Sequence, residues 1–306
     1  MGQARRGFVF GVAAYLCWGL FPLYWKLLAP AGALEILAHR VLWSLIFIAI
    51  VVTVVRRWRS IGVLLRQRDK VLLIALASVL IAVNWGTYIY GVGAGRVVET
   101  SLGYFINPLV TVLLGVFVLG ERLRSVQWAA IGVGAVAVAV LTVDYGTVPW
   151  IALTLAFSFG LYGLVKKRLG VAAVDGLAVE SGALALPALA YVLVLGGRGE
   201  ATFGHGGWHT ALLVLGGAVT AVPLLLFAGA ANRIPLSTIG LLQYLAPVLQ
   251  LACGVLVFDE PMPPPRLAGF ALVWLALGIF AADGIRHARR EARRTAPVPE
   301  AANAYL

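Results

Sequence analysis

Hydrophobic residues along this chain occur in blocks of close to twenty, separated by short polar or basic segments. A stretch of about twenty apolar residues is long enough to span a bilayer as an α-helix. The blocks predict ten membrane-spanning helices, numbered here as spans one to ten, at residues 7–28, 33–55, 71–93, 99–119, 126–143, 149–166, 175–196, 210–230, 237–258 and 266–285. Most connections are short, so we expect neighbouring helices to run antiparallel. The pattern therefore predicts an all-α integral membrane protein.

The composition leaves little room for a soluble domain. Of the 306 residues, 61% are hydrophobic and 12% are charged, and the mean hydropathy is +0.93. A soluble protein is about one quarter charged. Both cysteines, Cys17 and Cys253, lie in apolar runs and show neither a disulfide framework nor metal-ligand spacing. The first apolar run is too long for a signal-peptide core, so we interpret it as a retained span.

The formal net charge of +11 would suggest a nucleic-acid partner in a soluble protein. Here the basic residues flank the spans, which is the pattern that sets membrane orientation. With the N-terminus in the cytoplasm, most of the 24 Lys and Arg residues fall on the cytoplasmic side. Arg96, Arg198 and Arg266 fall on the other side, and Lys26 and Arg40 lie within spans. We predict cytoplasmic termini, a surrounding lipid bilayer and no nucleic-acid partner.

The two halves of the chain resemble each other. The segment SLGYFINPLVTVLLGVFVLGE (101–121) is similar to TIGLLQYLAPVLQLACGVLVFDE (238–260), and Pro108 and Pro247 fall at matching positions of the two segments. An odd number of spans in each half inverts the second copy, and inverted repeats with broken helices are typical of secondary transporters. We predict a first five-helix repeat at 1–145, a second, inverted five-helix repeat at 146–286, and a basic, disordered cytoplasmic tail at 287–306.

Polar and helix-breaking residues inside the spans are the candidates for function, because an ionisable group at membrane depth costs at least a few kcal/mol and tends to face a cavity or a partner. The predicted substrate-binding residues are Trp18, Asn84, Tyr88, Tyr104, Asn107, Gln243 and Tyr244. The residues predicted to serve charge or proton coupling, or to meet a charged substrate, are Lys26, Glu35, His39, Arg40 and Glu99. The prolines predicted to break helices are Pro22, Pro108, Pro223 and Pro247.

Each charged candidate also has a structural interpretation that the sequence leaves open. Glu35 could be an interfacial residue that pairs with Lys26 or Arg40. His39 could hydrogen-bond a neighbour, and Glu99 could be favoured by the dipole at a helix N-terminus. These alternatives predict partners within the chain, whereas the functional interpretation predicts partners in the solute.

The polar amides and the repeat raise two further alternatives. Asn84 and Asn107 could only join helices to one another. Arg40 and Glu180 fall at corresponding places in the repeat and could form an ion pair. Spans five and ten have no ionisable residue in their interiors, so we place them at the periphery, facing lipid or the partner chain of a homodimer. Spans one to four and six to nine would then enclose a central pathway.

Several strings resemble a known family. CWGLFPLYWK (17–26), AHRVLWS (38–44) and ETSLGYFINPL (99–109) are similar to the RarD subfamily of the EamA family, in the drug/metabolite transporter superfamily. The resemblance implies a bacterial inner-membrane carrier that works by alternating access, with amino acids, other small metabolites and drug-like compounds as substrates. The second half departs from the symmetry, because Ala246 replaces Asn107.

We therefore predict a secondary transporter of a small solute, with proton coupling left open. A passive channel or facilitator is the first alternative, and a membrane-embedded transferase is the second. None of the four histidines lies in a metal-binding HExxH pattern. The chain also lacks a GxxxxGK[ST] nucleotide-binding loop. We expect no enzymatic activity, no cofactor and no metal.

Overall fold

The computed structural model of the chain describes residues 2–120 and 122–295. The described residues form thirteen α-helices and one π-helical turn, and they contain no β-strand. The helices are α1 (Gln3–Gly19), α2 (Phe21–Lys26), α3 (Ala33–Val54), α4 (Trp58–Leu65), α5 (Arg68–Gly93), α6 (Val97–Leu119), α7 (Ser125–Tyr145), α8 (Trp150–Leu169), α9 (Ala173–Gly197), α10 (Gly207–Ala231), α11 (Leu236–Leu242), α12 (Leu245–Ala252) and α13 (Pro264–Thr295), with the π-helical turn at Cys253–Val257.

These elements correspond to the ten predicted spans, and the chain is a multi-pass membrane protein. Spans one and nine are each divided, into α1 with α2 and into α11 with α12 and the π-helical turn. Among the described residues, nine helical segments are long and apolar enough to cross a membrane. The remaining span is α8, a 20-residue helix whose last turn contains Lys166, Lys167 and Arg168. The short helix α4 lies in a connection that the hydrophobic pattern left without structure.

The predicted disorder of 287–306 is wrong for the first part of this segment. Helix α13 continues through residues 287–295 as HARREARRT. This stretch is rich in Ala, Arg and Glu, which have high helix propensity, so the membrane-spanning helix extends beyond its apolar part. Residues 296–306 lie outside the described residues.

Two of the four predicted helix breaks are present. Pro22 is the second residue of α2, which follows the end of α1, and Pro247 lies in the first turn of α12. Pro108 and Pro223 instead lie inside the continuous helices α6 and α10, so the prediction of a break is wrong there. A proline removes one backbone hydrogen bond, but packed neighbouring helices in a membrane bundle allow the helix to persist.

Eight spans form a closed ring. Following the contacts between neighbours, α1 packs on α10, α10 on α3, α3 on α9, α9 on α5, α5 on α8, α8 on α6, α6 on α12, and α12 returns to α1. These are spans one to four and six to nine, the ones that contain most of the polar candidates. The ring therefore places the polar side chains of both repeats around one interior.

Helices α7 and α13, spans five and ten, lie outside this ring. They pack chiefly on each other, and both also contact α6. A Cβ atom at Gly269 of α13 would collide with the side chain of Leu141 on α7, so this glycine allows the two helices to approach closely. Gly269 therefore serves a contact between helices of the same chain.

Candidate functional site

Arg40 occupies the interior of the ring, on α3. Its side chain is buried, with 3% of the residue exposed. The guanidinium carbon Cζ lies 3.9 Å from the centroid of the Trp85 ring on α5 and 5.0 Å from that of Trp25 on α2. Its Nε donates a hydrogen bond of 2.7 Å to Oγ1 of Thr220 on α10. Four helices thus converge on one guanidinium group.

No carboxylate of the described residues lies within ion-pair distance of Arg40. The predicted pair with Glu180 is wrong, because Glu180 accepts from Nζ of Lys166 at 2.7 Å and from the Tyr162 hydroxyl at 3.1 Å. Helix α5 packs on both α8 and α9, and this arrangement brings Lys166 of α8 to the acid on α9. The charge of Arg40 therefore faces aromatic rings, which stabilise a buried cation less completely than a carboxylate does.

Two predicted tyrosines lie next to this cation. The rings of Tyr88 and Tyr104 meet edge to face with their centroids 5.7 Å apart, and both pack in the buried hydrophobic cluster that contains Trp25. The hydroxyl of Tyr88 is buried and has no hydrogen-bond partner in the described part of the chain. The same holds for the indole Nε1 of Trp25. The cluster that contains Trp25 and Tyr88 therefore has two buried polar groups whose hydrogen-bonding capacity is unused among the described residues.

The two predicted asparagines use their amides to join helices. Asn84 Nδ2 donates to the carbonyl of Leu155 and to Oγ of Ser158, both at 3.0 Å. Its Oδ1 accepts from the Tyr104 hydroxyl at 3.3 Å. Asn107 Nδ2 donates to the carbonyl of Ala156 at 2.9 Å. Because the acceptors of both amide groups lie on α8, the geometry favours the helix-joining alternative for both residues.

One end of the ring is held by Glu35. We call this end, where α2 ends and α3 begins, the far end. The opposite end of the ring, where α1 begins, is the near end. The buried Glu35 carboxylate accepts the backbone N–H groups of Thr202 at 2.6 Å and Phe203 at 3.3 Å, in the connection from α9 to α10. His39, one turn further along α3, stacks on the Phe203 ring with 4.6 Å between centroids. We call these contacts the far-end clamp; Glu35 therefore does not pair with Lys26 or Arg40.

The near end is held by Asp175, the third residue of α9. Its carboxylate accepts from Nε and Nη2 of Arg57 at 2.7 and 2.8 Å and from Oγ of Ser60 at 2.6 Å. The hydrogen bond to Asp175 raises the pKa of Arg57 above its ordinary value. We call these contacts the near-end clamp. Glu35 is likewise the third residue of its helix, α3, and it is the counterpart of Asp175 in the repeat.

The two clamps are counterparts in the inverted repeat. Helices α3 and α9 pack against each other and begin at opposite ends of the ring. Each clamp joins the first turn of one of these helices to the connection that follows the other. One carboxylate therefore secures each end of the same interior.

Other carboxylates at the far end cap helices. Glu260 accepts the N–H groups of Val97 at 2.5 Å and Val98 at 2.7 Å, in the first turn of α6, and its burial raises the pKa of Glu260. Glu99 accepts the N–H of Ile151 at 3.0 Å, near the start of α8, and pairs with Arg96. The structure thus favours the alternative in which Glu99 stabilises a helix N-terminus, although that helix is α8 and not α6, to which Glu99 belongs.

The remaining candidates border the ring in different places. Lys26 lies with Nζ 5.7 Å from the Phe258 ring. Trp18 packs against Tyr15 and Phe227, and its carbonyl accepts from Gln250. Gln243 and Tyr244 lie at the break between α11 and α12, where Gln243 is exposed and Tyr244 is partly buried.

Several residues of this interior were absent from the predicted site. They are Trp25, Trp85, Thr202, Phe203 and Thr220, together with the clamp residues Arg57, Ser60 and Asp175. The correspondence of Glu35 with Asp175 in the repeat was the one signal that could have identified the near-end clamp. Arg57 was indistinguishable from the many basic residues that flank spans.

An apolar cavity of about 380 Å³ lies between α3, α4, α5 and α9. Its walls are formed by aliphatic and small side chains with Trp58, and it contains none of the predicted site residues. A cavity without polar groups gives a solute no fixed orientation. The interior around Arg40 therefore remains the better candidate for a specific site.

Comparisons with known proteins agree with one another. The sequence model of the EamA-like transporter family matches residues 5–143 and again residues 147–281. Protein RarD of Streptomyces exfoliatus is 55% identical over 95% of this chain and 93% of its own length. The uncharacterized transporter YojE of Bacillus subtilis (strain 168) is 43% identical over 94% of this chain and 97% of its own. A crystal structure with 21% identity superposes with a TM-score of 0.59 over 92% of this chain and 98% of that one, a likeness of fold alone.

Proposed function

The chain belongs to the EamA-like transporter family and, within it, to the RarD proteins, and from that premise we propose that it is a secondary transporter that moves a small solute by alternating access. Membership of the family makes it a membrane transporter. The finer statement rests on one observation, which is the pair of matching clamps at the two ends of the ring. A carrier of this kind needs two closures that can open separately around one interior.

The clamps suit that requirement because each depends on a single carboxylate. Release of Thr202 and Phe203 from Glu35 would free the connection at the far end while the near-end clamp holds. Release of Arg57 from Asp175 would free the near end while the far-end clamp holds. Both clamps formed together would correspond to the closed intermediate of such a cycle. Inverted repeats provide related conformations of the two halves.

We propose that the near end faces the cytoplasm of a bacterial cell, because most basic residues outside the spans lie at that end. Both termini would then be cytoplasmic. We also propose that the repeats divide at the α7–α8 connection, as 1–145 and 146–286, and that the outer faces of α7 and α13 form any homodimer contact.

Coupling to protons would act at the far-end clamp. Loss of the Glu35 charge would weaken its hydrogen bonds to the two backbone N–H groups. Two histidines lie close to this clamp: His39 stacks on Phe203, and His209 is hydrogen-bonded to Thr202 at 2.8 Å. The proposal requires the far end to open more at acid pH in the wild type and not in Glu35→Gln, and equal pH responses of the two proteins would contradict it.

The test of alternating access measures distances at the two ends and needs no solute. Spin labels are attached to cysteines at exposed positions after Cys17→Ser and Cys253→Ser. The far-end pair is Leu27 with His205, and the near-end pair is Arg59 with Arg168. Pulsed electron paramagnetic resonance then gives the distance distribution for each pair.

We expect Glu35→Gln to lengthen the far-end distances alone and Asp175→Asn to lengthen the near-end distances alone. Asp144→Asn is the matched control, because Asp144 pairs with Arg266 between the peripheral helices α7 and α13. It should change neither distribution. If one substitution opens both ends together, the protein is a channel, and if neither substitution opens its own end, the clamps do not gate the interior.

A further inference from the structure

The cation in the interior lacks a counter-charge that its counterpart in the other repeat possesses. When CWGLFPLYWK (17–26) is aligned with SFGLYGLVKK (158–167), Trp25 matches Lys166, and in the next span Arg40 matches Glu180. In the second repeat the lysine and the acid form an ion pair of 2.7 Å. In the first repeat the acid position holds Arg40 and the lysine position holds Trp25, so a cation beside an aromatic ring stands where the other half has a neutral pair.

The guanidinium group has spare hydrogen-bonding capacity. Its Nε donates to Thr220, but its two terminal nitrogens make no hydrogen bond to any described residue. Thr220 provides no charge compensation, because its hydroxyl is neutral; it accepts from Arg40 and donates to the carbonyl of Gly216 at 2.8 Å. A buried arginine with two free donors is a geometry that matches a carboxylate, which accepts two parallel N–H bonds.

The surroundings reinforce this match. Trp25 and Tyr88 are each 3% exposed, and their Nε1 and hydroxyl groups lack a partner among the described residues. Buried polar groups without a hydrogen-bond partner are rare in proteins, and a bound ligand would give these two groups a partner. Around them stand the rings of Trp85 and Tyr104, which can contact an apolar body. The interior thus offers positive charge, donors and aromatic surface.

We propose that Arg40 binds the carboxylate of the transported solute, so that the substrates are small carboxylates with an apolar or aromatic body. This inference rests on the proposed transport function and specifies its substrate class. Binding of the solute carboxylate neutralises the charge of Arg40, which is costly inside the membrane. An anion is therefore favoured over a neutral isostere or a cation of the same shape. The aromatic rings alone cannot make that distinction.

The test compares three compounds of one shape on the purified full-length protein in lipid nanodiscs. Phenylacetate, 2-phenylacetamide and phenethylamine, each at about 10 mM, are added during thermal unfolding, because a ligand that binds only the folded state raises Tm. We expect phenylacetate to raise Tm and the other two compounds to leave it unchanged. This comparison uses the wild type only and does not depend on any variant folding correctly.

Variants then assign the preference to Arg40. Arg40→Gln should weaken phenylacetate binding by about tenfold or more, the value of one charge-assisted contact. Arg40→Lys keeps the charge without the planar pair of donors and should retain part of the affinity. Arg233→Gln is the matched control, because Arg233 is exposed at the near end, and it should behave as the wild type.

Three results would overturn the proposal. They are equal stabilisation by the amide, unchanged phenylacetate binding in Arg40→Gln, and no stabilisation of the wild type by phenylacetate, benzoate or indole-3-acetate. None of these results affects the spin-label distances at the two ends. Transport by alternating access can therefore stand while the carboxylate assignment falls, and the two failures are distinguishable.

Discussion

Replacement of Asn84 by leucine separates a role in joining helices from a role in binding solute. The residue is 1% exposed and has three hydrogen-bond contacts to other helices, with Leu155, Ser158 and Tyr104. Hydrogen bonds between membrane helices contribute on average about 0.6 kcal/mol each. Loss of all three in Asn84→Leu should therefore lower the free energy of unfolding by about 2 kcal/mol.

Asn107 provides an internal comparison. It makes one interhelical hydrogen bond, to the carbonyl of Ala156, so Asn107→Leu should cost about 0.6 kcal/mol. Thr142→Ala is the control, because Thr142 bonds only to a carbonyl in its own helix. The expected order of destabilisation is Asn84→Leu, then Asn107→Leu, then Thr142→Ala near zero.

The assay is reversible unfolding in mixed detergent and lipid, titrated with sodium dodecyl sulfate in the absence of any added solute. A measured cost for Asn84→Leu close to that of Thr142→Ala would refute the reasoning, since three buried contacts would then contribute nothing. If that variant were also unable to bind solute, Asn84 would have to be assigned to the substrate site.

The other predictions concern packing, a buried ion pair and a helix cap. Gly269→Ala should destabilise by about 1–3 kcal/mol because its Cβ would collide with α7, whereas Gly278→Ala, which has open space, should be neutral or stabilising in the same unfolding assay. Lys166→Met should cost about 3–5 kcal/mol by leaving Glu180 buried without its cation, and adding Glu180→Gln should recover most of that loss; an additive double variant would contradict the pairing. Burial raises the pKa of Glu260, so the folded state holds the carboxyl proton more tightly than the unfolded state does. Stability therefore falls as the pH rises from the ordinary carboxyl pKa towards the raised pKa. Glu260→Gln should remove this contribution to the pH dependence of stability, and an unchanged pH dependence would show that Glu260 is not its source.

Much of the fold was predictable because it depends on local properties of the chain. The length of apolar runs specified ten spans, and the similarity of 101–121 to 238–260 specified two halves. The absence of charge from the middle of spans five and ten placed them at the periphery, where the structure has α7 and α13. Helix breaks were harder to predict, because Pro22 lies at the start of a helix whereas Pro108 and Pro223 lie inside continuous helices.

The sequence by itself determined which residues are polar inside the membrane, but the tertiary structure decided what each one contacts. Arg40 and Glu180 occupy matching positions in the repeat. In the structure, however, Glu180 pairs with Lys166 of α8, and Arg40 lies among aromatic rings. Glu35 had two basic residues near it in sequence, yet it accepts backbone N–H groups from a connection in the other half of the chain. The physical reason is that hydrophobic runs and repeats are properties of the linear sequence. A partner depends on which helices become neighbours in the ring, and that order is set by the packing of all eight together.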